Sequence, residues 1–488
     1  MSGNNGLYVG IDLGTSAVKV IAADAKGRII AEASESYGVF YPQNGWSEQN
    51  PEDWFSATLK ALKRLNVKNV RGISFGGQMH GLVVLDGDGK VIRPCILWND
   101  GRTEKQTAYL NGTVGRDKLA ALTGNVAFAG FTAPKLLWLR ENEPGNFGRI
   151  EKIMLPKDYL VYRFSGAFAT DFSDAAGTLL LDVGNRRWSD EMVGICGISA
   201  GQLPELCESF TVVGALKSEI SEQLGWADVK VIVGAGDNAA AAVGTGTVLN
   251  GDCNISLGTS GTLFIATDKF SLPENNALHS FCHANGGWHL MGCILSAASA
   301  NKWFIEDILG ADYDLCEKAA AELGKNDLYF LPYLMGERCP HNDVKARGAF
   351  IGLSADTSKE DMALAVMEGV AFALRDCLEL AKESGATVSK STVCGGGAKS
   401  KLWLKILANV LNLNIYTVET EQGPAYGAAM LAMTGCGVYE SVERAAANIV
   451  KKEISVAPER ETALAYGQKY LKYRELYPLL KSWFNEMK

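Results

Sequence analysis

The tetrapeptide Leu-Gly-Thr-Ser occurs at 13–16 and again at 257–260, roughly half a chain length apart in 488 residues. Around the first copy, Tyr8-Val9-Gly10-Ile11 leads into Asp12-Leu13-Gly14-Thr15-Ser16 and then Val18-Lys19-Val20-Ile21. Around the second, Asn254-Ile255-Ser256-Leu257 leads into Gly258-Thr259-Ser260 and then Gly261-Thr262-Leu263-Phe264. Apolar alternation on both sides of a small polar cluster predicts a strand, a tight turn and a returning strand. A chain of this length holds two or three domains. Two similar turns opening nearly equal halves therefore predict a duplicated α/β unit, with a boundary near residue 248 after Gly244 and Gly246, and a cleft between the halves.

Further strand-to-helix junctions carry the remaining polar signals. Asn50 is a helix cap with Pro51 in the first helical position and Glu52 and Asp53 beside the free amides. The apolar run 70–75 ends in Gly76-Gly77-Gln78-Met79-His80-Gly81. A short strand at 230–233 gives way through Gly234-Ala235-Gly236-Asp237-Asn238 to an alanine run that favours helix. In the second half, 361–384 reads as a long helix with Ser358 as its cap. Val393-Cys394-Gly395-Gly396-Gly397-Ala398-Lys399-Ser400 is a glycine loop opening a helix, and Gly423-Pro424-Ala425-Tyr426-Gly427 starts another that stops at Gly435.

The turns at Gly14, Gly258 and Gly395 to Gly397 let backbone amides approach phosphate oxygens, and Thr15, Ser16, Thr259 and Ser260 add hydroxyls. Asp12, at a strand end, suits a hydrated Mg²⁺, and equally an ordinary turn acid. Asp237, at a helix entrance, suits accepting a proton from an alcohol, and equally a helix cap. His80 is suited to donate to a sugar oxygen, or is simply structural.

Other classes lack support. With 47 basic and 55 acidic residues the formal charge is −8, which offers no broad field for nucleic acid. Eleven cysteines, an odd number, form no paired redox motif, and His279, His283 and His289 lack a zinc-ligand framework. Neither a Gly-x-x-x-x-Gly-Lys-Ser/Thr loop nor a Gly-x-Ser-x-Gly elbow is present at the candidate turns. Gly234-x-Gly236-x-x-Ala239 imitates a dinucleotide fingerprint, but Asp237 would set negative charge against a pyrophosphate. Trp98, Trp138 and Trp403 read as packing residues. A short polar start and the lack of an 18-residue apolar span predict a cytoplasmic protein without membrane contact.

The ordered set of motifs resembles the FGGY carbohydrate kinases from residue 7 to about 480. Beyond the opening turn and Gly236-Asp237-Asn238, Phe131-Thr132-Ala133-Pro134-Lys135-Leu136-Leu137-Trp138-Leu139 is similar to one family signature. Gly348-Ala349-Phe350-Ile351-Gly352-Leu353, followed by the 361–368 segment, is similar to another. Segments at 76–81, 96–102, 155–160 and 280–283 resemble the branch of the family that acts on D-xylulose. The resemblance implies an α/β fold of two ribonuclease-H-like lobes of the actin and hexokinase superfamily, with an interdomain catalytic cleft. It implies a sugar-binding and catalytic domain at 7–248 and an ATP-binding domain at 249–484. Met79, His80, Asp237 and Asn238 would meet the sugar, with Asp237 as general base. Thr15, Ser16, Gly258, Thr259, Ser260, Gly396 and Gly397 would contact ATP, and Asp12 would organise Mg²⁺. The expected reaction gives D-xylulose 5-phosphate; neighbouring ketoses or polyols, a nucleotide-responsive non-enzymatic role and a homodimer stay open.

Overall fold

The structure is a computed structural model, which describes residues 6–315, 323–420 and 422–487. The polar residues 1–5 lie outside the described residues.

Two mixed sheets share one plan. In the first, β1 (Leu7–Leu13), β2 (Ala17–Asp24) and β3 (Ile29–Ser36) form an antiparallel meander. On the other side of β1 come β4 (Val70–Gly77), parallel to it, then β6 (Lys230–Gly236), parallel again, and β5 (Val212–Ala215) as an antiparallel edge. In the second sheet β7 (Asp252–Leu257) pairs antiparallel with β8 (Gly261–Thr267). Outside β8 lie β10 (Trp288–Ile294) and β9 (His279–Cys282). On its other side β7 pairs parallel with β11 (Lys390–Cys394), followed by parallel β12 (Asn414–Val418) and antiparallel β13 (Lys452–Val456). Meander, two parallel strands and a reversed edge thus occur twice, and the two Leu-Gly-Thr-Ser turns occupy the same place in both sheets. This is a ribonuclease-H-like lobe duplicated within one chain.

The helices follow from their ends. In α1 (Pro51–Leu65) the Asn50 side chain accepts from the Glu52 amide at 3.3 Å, satisfying a donor that has no partner within the helix. The long helix expected over 361–384 spans Lys359–Glu383 and closes with a capping box. Ser358 Oγ accepts from the Asp361 amide at 3.1 Å, and Asp361 accepts from the Ser358 amide at 2.9 Å. The helix therefore begins two residues before the expected start at Asp361.

Side-chain alternation gives β1 two different faces. Val9, Ile11 and Leu13 pack with Trp54 and Leu62 of α1 and with Leu160 and Phe164 of a helix spanning Pro156–Ser165. Tyr8, Gly10 and Asp12 face the other way. That second face carries Asp237–Gly244, the helix opened by the candidate base, and Gly423–Gly435, which follows the expected 248 boundary by a long stretch of sequence yet packs on the first sheet. A Cβ on Gly10 would sit 1.9 Å from the Ala425 carbonyl oxygen, and one on Gly427 would sit 1.8 Å from that of Ala240. Only backbone fits at both contacts.

Gly427→Ala is expected to lose on the order of 3 kcal/mol in urea unfolding, the upper range for overpacking a close-packed contact. Gly467→Ala, where a Cβ meets nothing within 4 Å, should instead be neutral or stabilising by about 0.5–1 kcal/mol. Equal effects at the two positions would contradict the proposed backbone contact.

Candidate active site

The carboxyl ends of β1, β4 and β6 deliver the chemistry, as is general for crevices in α/β sheets. Asp12 lies at the end of β1, opposite Gly76 of β4 and Lys19 of β2. Burial, then the charge of Asp237, pushes its carboxyl up to about 7, against a smaller opposing pull from Lys19. Lys19 is only a partial counterion because its ammonium binds the Gln422 side chain and lies 3.8 Å from Glu32.

Asp237 is the first residue of its helix, and Gly236 rather than Asp237 takes the cap position. Its Oδ1 accepts from the Asn238 amide at 2.7 Å and from Asn238 Nδ2 at 2.9 Å. Burial pushes the carboxyl up to about 6, offset in part by the Asn238 amide. A carboxylate with raised proton affinity is a better base than a solvated one.

Met79 and His80 arrive from β4. Met79 is buried, with its sulfur 3.9 Å from Asn238 Nδ2, so the two expected sugar-side pairs are neighbours. His80 takes the left-handed backbone conformation, φ 70°. Its carbonyl accepts from Lys135 Nζ at 2.8 Å and Thr132 Oγ1 at 3.1 Å, both on the helix Thr132–Asn142. Its ring stacks on Phe131 with centroids 4.7 Å apart, and Nδ1 lies 2.7 Å from the Gly177 carbonyl. A Cβ on Gly177 would reach 2.5 Å from that nitrogen, so only glycine fits there.

This geometry assigns the ring proton of His80. Burial pushes the imidazole down to about 3, so it is neutral. A carbonyl can only accept, which fixes the proton on Nδ1 and leaves Nε2 as an acceptor.

Thr15 also differs in detail from a free hydroxyl donor. Its Oγ1 donates to Gln78 Oε1 at 3.2 Å and accepts from Trp98 Nε1 at 3.0 Å, while its carbonyl accepts from Gln49 Nε2 at 2.6 Å. Ser16 in the same turn is exposed. Trp98, expected in packing, is instead 47% exposed and reaches this turn by its indole N–H. Trp138 and Trp403 are buried.

The second lobe holds a cavity of about 760 Å³ lined by Thr259, Ser299, Lys302, Gly396, Gly397 and Trp403, among others. Gly258 and Ser260 belong to the same turn as Thr259. The Gly258 carbonyl accepts from the Ala298 amide at 2.8 Å, and that of Thr259 from the Ala297 amide at 3.0 Å. The structure thus brings the two expected ATP-contacting turns to one cavity, with Lys302 and Lys399 supplying positive charge at its wall.

Beneath Asp237 lies a charged cluster that no local sequence signal assigned. Lys157 is wholly buried, with Nζ 2.6 Å from Asp158, 2.9 Å from Asp171 and 3.7 Å from Asp174. Burial alone would lower its proton affinity, but the three carboxylates outweigh it and raise it. Asp171 Oδ2 accepts from Ser173 Oγ at 2.5 Å and Ser209 Oγ at 2.7 Å, and Ser173 Oγ accepts from the Gly236 amide at 3.1 Å. One ion cluster therefore fixes the Ala235–Gly236 peptide, one residue before Asp237. The clue available in sequence was a Lys-Asp pair inside the apolar segment 155–160.

The profiles of the FGGY family of carbohydrate kinases match the chain twice, the N-terminal domain over residues 7–244 and the C-terminal domain over 253–436. The chain is 40% identical over 482 residues to a xylulose kinase of Escherichia coli strain K12, covering 97% of this chain and 99% of that one. A crystal structure of a xyloylose kinase from Brucella ovis superposes with a TM-score of 0.93 at 41% identity, over 98% of this chain and 99% of that chain. A gluconate kinase from Lactobacillus acidophilus also superposes at 0.93, with 26% identity over 99% of this chain and 100% of the other. The chain belongs to the FGGY family of carbohydrate kinases. It is a sugar kinase that uses ATP.

Two substitutions separate the charged groups by sign. Lys157→Met strands three carboxylates in the interior and should cost about 3–5 kcal/mol. Asp12 behaves oppositely. Its folded-state proton affinity lies above the ordinary 3.8, so its contribution to stability is lost as pH rises between that value and about 7. Asp12→Asn should therefore stabilise the metal-free protein by on the order of 1–2 kcal/mol at pH 8 and leave it nearly unchanged at pH 4. Thermal unfolding at the two pH values reads both effects.

Proposed function

We propose that the protein phosphorylates D-xylulose on O5 with ATP, giving D-xylulose 5-phosphate and ADP, and that Asp237 is the general base. The observation that carries this reading is the joining of Met79-His80 to Asp237-Asn238 at adjacent strand ends. The full-length similarity to kinases named for xylulose adds the substrate. The equally good superposition on a gluconate kinase shows that the fold alone does not select it.

In this reading the Asp237 carboxylate accepts the O5 proton as the oxygen attacks the γ-phosphorus. Asn238 holds that carboxylate at Oδ1. His80, with its proton committed to the Gly177 carbonyl, accepts from a sugar hydroxyl at Nε2. Met79 walls the site and excludes water beside Asp237, which limits wasteful hydrolysis. The turns at Gly258, Thr259 and Ser260 and at Gly396 and Gly397 hold the nucleotide, with Thr15 and Ser16 facing its phosphates.

Asp12 fits the role of Mg²⁺ holder. Its carboxylate is a hard oxygen donor, it is repelled by Asp237, and its nearby lysine is already engaged. Mg²⁺, when bound, supplies the neutralisation of phosphate charge that a chain of formal charge −8 lacks.

Initial rates with D-xylulose, L-ribulose, glycerol and gluconate test the substrate, and phosphorus NMR of the product tests the position. Preference for another acceptor overturns the substrate, and a phosphate on another oxygen overturns the regiochemistry. Asp237→Asn should keep the fold and lower kcat at least about 100-fold, as loss of a general base does. Because the base works only when ionised, kcat/KM should fall with decreasing pH through about 6. A flat profile there, or near-native turnover in the variant, rejects the role of Asp237.

A further inference from the structure

A second polar cavity, of about 410 Å³, borders the sugar side but is lined by other residues, and it falls within the size range of small-molecule pockets. Arg116, Phe128, Asn276, His279, Arg338 and Asn342 contribute to its wall. None of Met79, His80, Asp237, Asn238, Thr259, Gly396 or Gly397 does. Phe131 stands between this cavity and the sugar side, stacked on His80 at 4.7 Å and tilted against His279 at 5.6 Å.

The unusual group is Arg338. Its guanidinium lies 4.2 Å over the Phe128 ring, and Nε is enclosed without a hydrogen-bond partner. No carboxylate among the described residues forms an ion pair with it. Other buried cations of this chain are engaged: Arg102 by Glu48 and Asp100, Lys157 by its three carboxylates, Lys469 by Glu368, and Lys135 by two carbonyls. An enclosed cation without a partner is costly, and a bound anion relieves that cost.

The neighbouring acid does not serve. Glu337 Oε1 accepts from the Arg338 amide at 2.7 Å and the Leu295 amide at 3.1 Å, so it is turned to the backbone. Burial pushes that carboxyl up to about 8, which leaves it largely protonated at neutral pH. Burial and the Arg338 charge hold His279 well below its ordinary value, so it adds no charge. Burial likewise keeps the Cys293 thiol protonated. His341, on the same wall, is also held neutral by burial. Asp117, also in the lining, is exposed and screened by solvent, next in sequence to the cationic Arg116. Asn276 contributes an enclosed Oδ1 that no described residue donates to.

We infer that this cavity binds a small hydroxylated organic anion, with the guanidinium of Arg338 as its counter-charge and the Asn276 amide oxygen accepting from its hydroxyl. A phosphate ester and a hydroxy acid share that chemistry. The inference does not rest on the sugar proposed above, because it is tested by binding without turnover.

Calorimetric titration of the full chain with glycerol 3-phosphate, glycerate and uncharged glycerol separates the sources. At least one of the two anions should bind, glycerol should not bind at this site, and the tighter anion names the headgroup. Arg338→Met, which keeps the stacking on Phe128 but removes the charge, should weaken the anion at least about tenfold, whereas Arg338→Lys should retain part of the affinity. If Arg338→Met does not fold, Asn276→Asp provides the second test, since a carboxylate on that wall should weaken the same anion. Unchanged anion affinity in the folded Arg338→Met or in Asn276→Asp overturns the inference. So does an absence of anion binding by the wild type, or displacement of the anion by saturating D-xylulose or ATP, which would place it in the catalytic cleft.

Discussion

Where Gly10 meets Ala425 and Gly427 meets Ala240, main chain rests on main chain with no side chain between. The helix Gly423–Gly435 thereby lies against β1 and against the helix that Asp237 opens. Its apolar residues Ala425, Ala429 and Met430 join Tyr8, Ile21, Ala239 and Val243 in one core. Such close packing transmits strain rather than absorbing it. The positions of Asp12 and Asp237 relative to one another therefore depend on this contact. A single extra methyl group would push apart the elements that carry both acids.

Charge in this site is arranged against stability. Asp12 and Asp237 repel one another, and burial adds to the cost of ionising each. The same conditions raise the proton affinity of both carboxyls. Below the site Lys157 gathers Asp158, Asp171 and Asp174, and Asp171, through Ser173, holds the Gly236 amide. A neutral His80 stands beside them, its Nδ1 held by the Gly177 carbonyl. The acids at the opening thus rest on a second charged cluster, in which one lysine holds three carboxylates.

Much of the local structure is legible in the sequence. Asn50 and Ser358 cap their helices because a short polar side chain answers a free amide two or three residues on, a relation contained within a few positions. Strand, turn and strand at both Leu-Gly-Thr-Ser copies followed from alternation in the same way. Trp98 is exposed and bonded to Thr15, since hydrophobic character alone does not say which tryptophan is buried. Lys157 and Asp171 went unassigned because their meeting depends on how the helix Pro156–Ser165 docks beside a separate strand, Ala169–Asp171.

By itself the sequence determined the duplication, the strand-end placement of Asp12 and Asp237, and the family to which these motifs belong. Alternation, capping and turn chemistry are short-range, so a chain displays them in its order of residues. Tertiary structure decided that 423–435 completes the first sheet's packing, that His80 carries its proton on Nδ1, and that Arg338 faces a cavity without an ion pair among the described residues. Each of these depends on groups brought together from distant positions. Burial and electric field are sums over such neighbours, and no local pattern contains them.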